Sequence, residues 1–473
     1  MLRRLPVEIW LLVIDELGAA REYDALEACA EASAGLLKET AEKYIPNEMT
    51  LRTREEILSI NLKQRWQGPR KVRIERGLRD DLLTIERAEW RVDDFHLRSL
   101  SLNLGCFPIT NLKLYDVTFP SIPTFWRVVC VFPELSALYL DGVKIVETAV
   151  DARTLSALRL LRAPRLQWIE PDRHSHPATD LAGLLHVFLA QTVPSPKALP
   201  WRHVGHLRLS DVTLPTAAAF GRLLGAFPGL KELIINGPCT FAAHGLNPGH
   251  APRRPHMPLV SGILELGKDF SLCSDPQSVR DLVDLLIQSG VSRRLGRIIV
   301  WLSLSMRVAT NIDLSLNRLV KDAGKSLKYL SLRVLPQDSL PLFNGASTLS
   351  TGARPCCFDI SADTRLSHLA CSVNITHEDG SWIALLLELL RQVTSKPEDF
   401  GYLEVAFNVM DDADLTKVWP GLPFLNAALS ETTFDKYGLV AILFPNANKS
   451  IDSLRAKAMV ESCLPKLAAW NVL

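Results

Sequence analysis

Between Val7 and Leu17 the chain is apolar except at Glu8, Asp15 and Glu16. Pro6 suits a first helical position, and no other Pro or Gly interrupts the run before Gly18, so the pattern predicts a helix of about three turns over Leu5–Leu17. At about 100° per residue, Ile9, Val13, Leu17, Trp10, Ile14, Val7 and Leu11 cover an apolar arc of roughly 200°, where a core-facing side needs only about 100°. Two arrangements satisfy such an arc: the helix packs on its own domain and on a second body, or it lies deep in a large core.

A second helical region follows from Arg21 to Tyr44, where Leu26, Cys29, Ala30, Leu37, Ala41 and Tyr44 recur at three- and four-residue steps. Glu22 and Asp24 near its start and Lys38 and Lys43 near its end suit the helix dipole, and Gly35 is placed to break it in two. A helical module over residues 1–48 is expected. Residues 49–96 form a basic connecting region: Lys63, Arg65, Arg70, Lys71, Arg73, Arg76 and Arg79 stand against the single acid Glu75 between 63 and 79, with Trp66 among them. Lys71-Val72-Arg73-Ile74 alternates as a strand does, which accounts for much of the run as a solvated face, so no nucleic-acid partner is expected.

From Leu97 to the C terminus short strands alternate with helical segments, beginning with Leu97–Leu102 and Asn111–Tyr115. The informative feature is a repeat. Residues Leu112–Gly142 match Leu207–Gly237 without a gap, 13 of 31 positions being identical, including Asp116-Val117-Thr118 and Asp211-Val212-Thr213. Each copy reads as a strand, a turn bearing Asp-Val-Thr, a helix ending at Phe-Pro and a second strand (Leu135–Leu140; Leu230–Ile235), with about 23 residues from strand to strand. Leu-x-Leu on each strand places both leucines on one face for the helix to cover, and a unit of this size must stack on others to bury it.

Further strands are read at Leu155–Leu160, Ile298–Leu302, Leu327–Leu332, Leu366–Leu369, Tyr402–Val405 and Leu439–Ile442. Helices are read at Val279–Gln288 and Trp382–Gln392, and a terminal cap at Ile451–Leu467. Gly237–Pro258 and Leu335–Pro355 read as long loops. The fold class is therefore α/β: a short N-terminal helical module followed, over residues 97–473, by an irregular leucine-rich-repeat-like array, with a general α/β domain as the alternative.

Composition narrows function by exclusion. In 473 residues, 53 basic and 52 acidic side chains nearly cancel, so no global charge argues for nucleic acid or a membrane surface. The nine cysteines form no Cys-x-x-Cys pair and read as buried thiols of a reducing compartment, cytoplasmic or nuclear. Only six apolar residues separate Glu8 from Asp15, too few for a signal-peptide core, and Leu181–Ala190 is too short to span a bilayer.

Catalytic patterns are weak. His174 and His176, with Glu170, Asp172 and Asp180 nearby, carry the one enzyme hypothesis, a metal-dependent hydrolase, but no second ligand cluster accompanies them. His244, His250 and His256 fit no ligand spacing. Ala323-Gly324-Lys325-Ser326 resembles the end of a phosphate-binding loop, yet Leu319 stands where its first glycine belongs. The expectation is a non-enzyme with no cofactor and no metal.

The order Leu5-Pro6-x-Glu8-Ile9, followed by Val13, Ile14 and Leu17, resembles the opening of the F-box, the helical module of ubiquitin-ligase receptors. The Cys and downstream Trp-Arg pair often found in the second half of that module has no counterpart before Asn47 beyond Cys29. With the repeat region, the resemblance implies an F-box receptor of an SCF-type cullin–RING ubiquitin ligase, of the divergent fungal kind. Its helix would dock on a Skp-type adaptor through Leu5, Pro6, Ile9, Ile14 and Leu17, and its repeats would hold an unknown protein target. A repeat scaffold outside any ligase, its first helices merely capping the array, is the alternative.

Overall fold

The computed structural model describes residues 6–20, 22–33, 35–44, 48–51, 71–74, 82–86, 109–115, 117–147, 166–172, 201, 203–245, 262–302, 306–334, 357–375, 382–393, 400–409, 412–431, 439–444, 458 and 462–463. The chain divides into two compact units, Met1–Val204 and Gly205–Leu473.

The first unit opens with three helices, α1 (Val7–Ala19), α2 (Tyr23–Ala32) and α3 (Leu36–Tyr44). Pro6 is extended (φ −54°, ψ 149°) and stands at the N-cap of α1, one position before the one its sequence suggested. Gly18 does not end the helix. The Tyr44 ring lies where a Gly18 Cβ would project, 2.5 Å from its Cδ1, and Tyr44 Oη donates to Asp15 Oδ1 at 2.8 Å. The missing side chain thus lets α3 dock on α1. Gly35, at φ +62°, makes the break expected between α2 and α3.

Six strands of this unit pair in parallel and in chain order: β1 (Glu48–Leu51), β2 (Lys71–Ile74), β3 (Leu82–Glu86), β4 (Asn111–Tyr115), β6 (Ala137–Asp141) and β8 (Trp168–Asp172). Eight do so in the second unit: β9 (His206–Leu209), β11 (Glu232–Ile235), β13 (Gly262–Leu266), β14 (Leu295–Leu302), β15 (Tyr329–Val334), β16 (His368–Asn374), β17 (Tyr402–Asn408) and β18 (Leu439–Leu443). The architecture is α/β with a large parallel sheet. Parallel neighbours need crossover connections, and several here contain helices: α4 (Ile122–Val131), α5 (Ala217–Gly225), α6 (Lys268–Cys273), α7 (Pro276–Gln288), α8 (Asn311–Ala323) and α9 (Trp382–Arg391), with α10 (Asp412–Val418) and α11 (Leu422–Glu431) before β18.

The two sequence copies fold alike. Leu112 and Leu114, like Leu207 and Leu209, are buried, and the helices bury Phe125, Val128 and Val129 in one copy and Phe220, Leu223 and Leu224 in the other. The register corrects the repeat length. Leu112 pairs with Leu138 rather than Leu135, and Leu207 with Leu233 rather than Leu230, so each repeat is longer than its leucines suggest. Leu135 and Leu230 are buried but precede their strands. Their N–H groups close the turn after the helix by donating to Phe132 and Phe227 O.

The Asp-Val-Thr turn also does more than turn. It leads into β5 (Thr118–Ser121) and β10 (Val212–Thr216), which pair in parallel with β7 (Lys144–Glu147) and β12 (Cys239–Ala243) as two small sheets. Asp211 is left-handed at φ 51°, and a Cβ on Gly237 would lie 2.5 Å from its backbone N. The first part of the expected loop Gly237–Pro258 is accordingly strand β12, and its remainder beyond residue 245 lies outside the described residues.

One backbone device recurs at the strand starts: two successive N–H groups donate to a single carbonyl of the preceding strand's start. It joins Ser136 and Ala137 to Thr110 O, Gln167 and Trp168 to Ser136 O, Lys231 and Glu232 to Gly205 O, Ser367 and His368 to Lys328 O, and Gly401 and Tyr402 to Ser367 O. The helix starts are fixed by side chains. Thr216 Oγ1 accepts from Ala219 N, Asp275 caps Ser278 N, and Thr310 forms a capping box with Asp313.

The strands read at Ile298–Leu302, Leu327–Leu332, Leu366–Leu369, Tyr402–Val405 and Leu439–Ile442 correspond to β14 to β18, some with shifted ends, and the helices at Val279–Gln288 and Trp382–Gln392 to α7 and α9. Strands Leu97–Leu102 and Leu155–Leu160, loop Leu335–Pro355 and most of the cap Ile451–Leu467 lie outside the described residues. No described helix is long and apolar enough to cross a membrane.

Because the Gly237 Cβ would meet the Asp211 backbone N as well as its side chain, Gly237→Ala should cost about 1–3 kcal/mol by overpacking. Urea unfolding of the second unit measures it, and an unchanged midpoint would refute the steric argument.

Candidate functional site

The three N-terminal helices form a small core from Ile14, Leu26, Ala30 and Ala41, with Leu17, Cys29 and Leu37 packed against it. From α1 only Ile14 is fully committed, at 1% exposure. Leu12 is 61% exposed, Val7 48%, Ile9 42%, Trp10 38% and Val13 37%. The wide apolar arc is thus divided: one edge closes on α2 and α3, and the rest, with Ile9 and Val13 one turn apart, stays accessible among the described residues. Leu36 at 59% adds an exposed apolar side chain at the start of α3.

The five residues singled out from sequence therefore separate. Pro6 and Ile9 are exposed, Leu17 is half-buried against the helical core, Ile14 is inside it, and Leu5 lies outside the described residues. Ile14 is a core residue because it packs with Leu26 and Ala41, so it can hold the helix in place but cannot enter a partner. Trp10 and Val13 belong to the apolar arc but not to that set, and Leu12 belongs to neither. A motif names positions, whereas exposure depends on how α2 and α3 cross beneath them.

A second surface lies in the second unit, on the sheet face opposite the buried Leu330, Leu369 and Leu403. Arg297, Tyr329, His368 and Tyr402 occupy one register row across β14 to β17. The Arg297 guanidinium lies 4.0 Å from the Tyr329 ring centroid, Tyr329 stacks on His368 at 4.1 Å, and His368 lies 4.3 Å from Tyr402. Such a row of cross-strand contacts fixes one rim of the face. His368 Nε2 and Arg297 Nε are buried without a hydrogen-bond partner among the described residues. Burial, and then the charge of Arg297, holds His368 down at about 4. Further along the strands, a trough of about 230 Å³ lies over Ser331, Ala370 and Ser372.

Other sequence candidates resolve individually. His244 is no idle loop residue: its Nδ1 lies 3.2 Å from Asp281 Oδ2, which also accepts from Gly245 N, tying the end of β12 to α7. Ala323–Ser326 ends a helix where a phosphate loop would begin one, and Gly324, at φ +49°, is its C-cap. Burial pushes the Cys130 and Cys239 thiols up to about 12, leaving them unreactive, while Cys273 is exposed rather than buried. Glu170 lies on β8 and its Oε2 accepts from Trp168 Nε1, whereas His174, His176 and Asp180 lie outside the described residues. Among the described residues no group of His, Cys, Asp or Glu is placed to hold a metal ion.

No protein-family model matches the chain, and no curated sequence does.

Two measurements test these assignments. Ile14→Ala should cost about 2–5 kcal/mol and release the helical module, whereas Leu12→Asp should change stability by about 0.5 kcal/mol or less; amide exchange over residues 7–44 reads both, and equal effects would contradict the division of α1. His368 titrates at about 4 in the folded chain against 6.5 as the ordinary value. Unfolding therefore takes up a proton between those pH values, so the residue's contribution is in place above about pH 6.5 and is lost as the pH falls toward 4. The unfolding midpoint of His368→Phe should decline less than that of the wild type between pH 7 and pH 4.5, and superimposable profiles would refute the assignment.

Proposed function

We propose that this chain is a substrate receptor of an SCF-type cullin–RING ubiquitin ligase: an F-box-like module that docks on a Skp-type adaptor, joined to an irregular leucine-rich-repeat-like solenoid that holds a protein target. The observation that carries the reading is the exposed apolar side of α1, where Val7, Ile9, Trp10, Leu12 and Val13 remain accessible while Ile14 anchors the helix from beneath. A soluble domain rarely leaves a contiguous apolar patch without a partner for it, and an amphipathic helix laid into a groove is a standard mode of recognition. Pro6 and Ile9 keep the role assigned by the motif, and Trp10 and Val13 join them, Trp being among the residue types most enriched in binding hot spots.

The solenoid reading is supported by parallel strands in chain order, by the strand-to-strand interval shared by the two sequence copies, and by the recurrent paired N–H donation at strand starts. On β15 and β17 the half-buried Arg333 and Glu404 stand above a floor of small buried residues, a surface for a bound protein rather than a closed catalytic pocket. The chain would contribute proximity: holding a target beside the activated ubiquitin raises the effective concentration of its lysines, with no chemistry by the receptor itself.

Full-length protein should retain a Skp-type adaptor in a pull-down. Ile9→Asp with Val13→Asp should reduce retention at least tenfold with an unchanged unfolding midpoint, and removal of residues 1–48 should abolish it. Adaptor retained undiminished by the double variant would sink the receptor reading and leave a repeat scaffold.

A further inference from the structure

On the face of β15 to β17 that carries Tyr329, His368 and Tyr402, the layer of side chains has a gap floored by small buried residues. Ser331, Ala370, Ser372 and Ala406 occupy adjacent face positions, and where neighbouring positions carry Trp301, Arg333 or Glu404 these carry almost nothing. The resulting trough of about 230 Å³ has Arg333 on one side and Glu404 on the other. Their strands, β15 and β17, are separated by β16, which sets roughly 9–10 Å between the two backbones.

Neither charge is in an ion pair among the described residues. Arg333 lies over the Trp301 ring at 5.5 Å, and its Nε donates to Ser331 Oγ at 3.3 Å, contacts that aim the guanidinium without neutralising it. Glu404 is half-buried near Tyr402, whose hydroxyl pKa is raised by burial first and by this carboxylate second. Two opposite, partly desolvated charges facing one gap are complementary to a ligand that carries both signs.

We propose that this trough is a socket for an extended peptide segment of a partner protein, in which an acidic side chain meets Arg333, a basic one a few residues away meets Glu404, and an intervening side chain fills the space over Ala370. The trough is smaller than the roughly 300–1,000 Å³ of a small-molecule site, and it accommodates one or two side chains of a longer segment. Choosing a protein segment as occupant rests on the target-holding role proposed above, and the deepened claim is which strands hold it and by what charge pattern.

The test is a selection of phage-displayed random dodecapeptides on the full-length chain, followed by affinity measurements on synthetic copies of the enriched peptides. Enriched peptides should carry an acid and a base within a few residues of each other. Their affinity should fall at least tenfold for Arg333→Ala and for Glu404→Gln, and be lost in Ala370→Trp, which fills the trough. The charge-swapped double variant, Arg333→Glu with Glu404→Arg, should prefer peptides of reversed charge order. No enrichment, peptides without the paired charges, or affinities unchanged by Arg333→Ala and Glu404→Gln would each overturn the socket. The adaptor pull-down runs beside it: peptide capture without adaptor binding keeps the socket and removes the ligase, and adaptor binding without peptide capture does the reverse.

Discussion

A parallel ladder imposes a constraint from which most of this structure follows. Parallel neighbours need a long connection between them, so the chain returns along one side of the sheet and covers that side each time it does so. The covered face is where Leu112, Leu138, Leu207, Leu233, Leu330, Leu369 and Leu403 are buried. The alternating positions on the other face of β15 to β17 are mixed, half-buried at Tyr329, Arg333, His368, Tyr402 and Glu404 and buried at Ser331, Ala370, Ser372 and Ala406. On that face Arg297, Tyr329, His368 and Tyr402 form a stacked row, and the small buried Ser331, Ala370 and Ser372 floor a trough.

The N-terminal helices obey a different constraint, that of size. So short a three-helix module has little apolar volume to close, and Gly18 and Ala41 keep the helices near enough for Ile14 and Leu26 to be fully enclosed. Such a core cannot also absorb an apolar arc wider than one packing face. The surplus on α1 is therefore a consequence of putting a strongly apolar helix in a small bundle.

Much of this is legible in the residues. The Leu-x-Leu strands, the second copy of Leu112–Gly142, the break at Gly35 and the wide apolar arc of α1 follow from periodicity and from the conformational freedom of glycine. What cannot be read has physical reasons. Leu135 and Leu230 are as buried as strand leucines, so hydrophobicity alone extends the strand backward into the turn and shortens the repeat; only the turn's backbone bonds reveal the difference. Strands β5 and β10 escape the pattern because they are four and five residues long and each contains a proline, Pro120 and Pro215. Ile14 and Val13 lie on the same broad apolar arc, and only the positions of α2 and α3 separate the buried one from the exposed one. The stacked row is invisible for another reason. Its members are spaced unequally along the chain, with no common interval for a sequence pattern to detect.

That irregular spacing has a consequence of its own. The connections between β14 and β17 differ in length, yet the strands remain in register. At β16 and β17 the donation of two N–H groups to one carbonyl fixes each strand's start from its neighbour's backbone, whatever lies between. Connection length and face composition are thereby decoupled. The parallel ladder keeps a spacing of about 4.8 Å between neighbouring side-chain columns. In this chain the column over β15 carries a cation, the column over β17 an anion, and between them, at Ala370 and Ser372, β16 presents only small side chains.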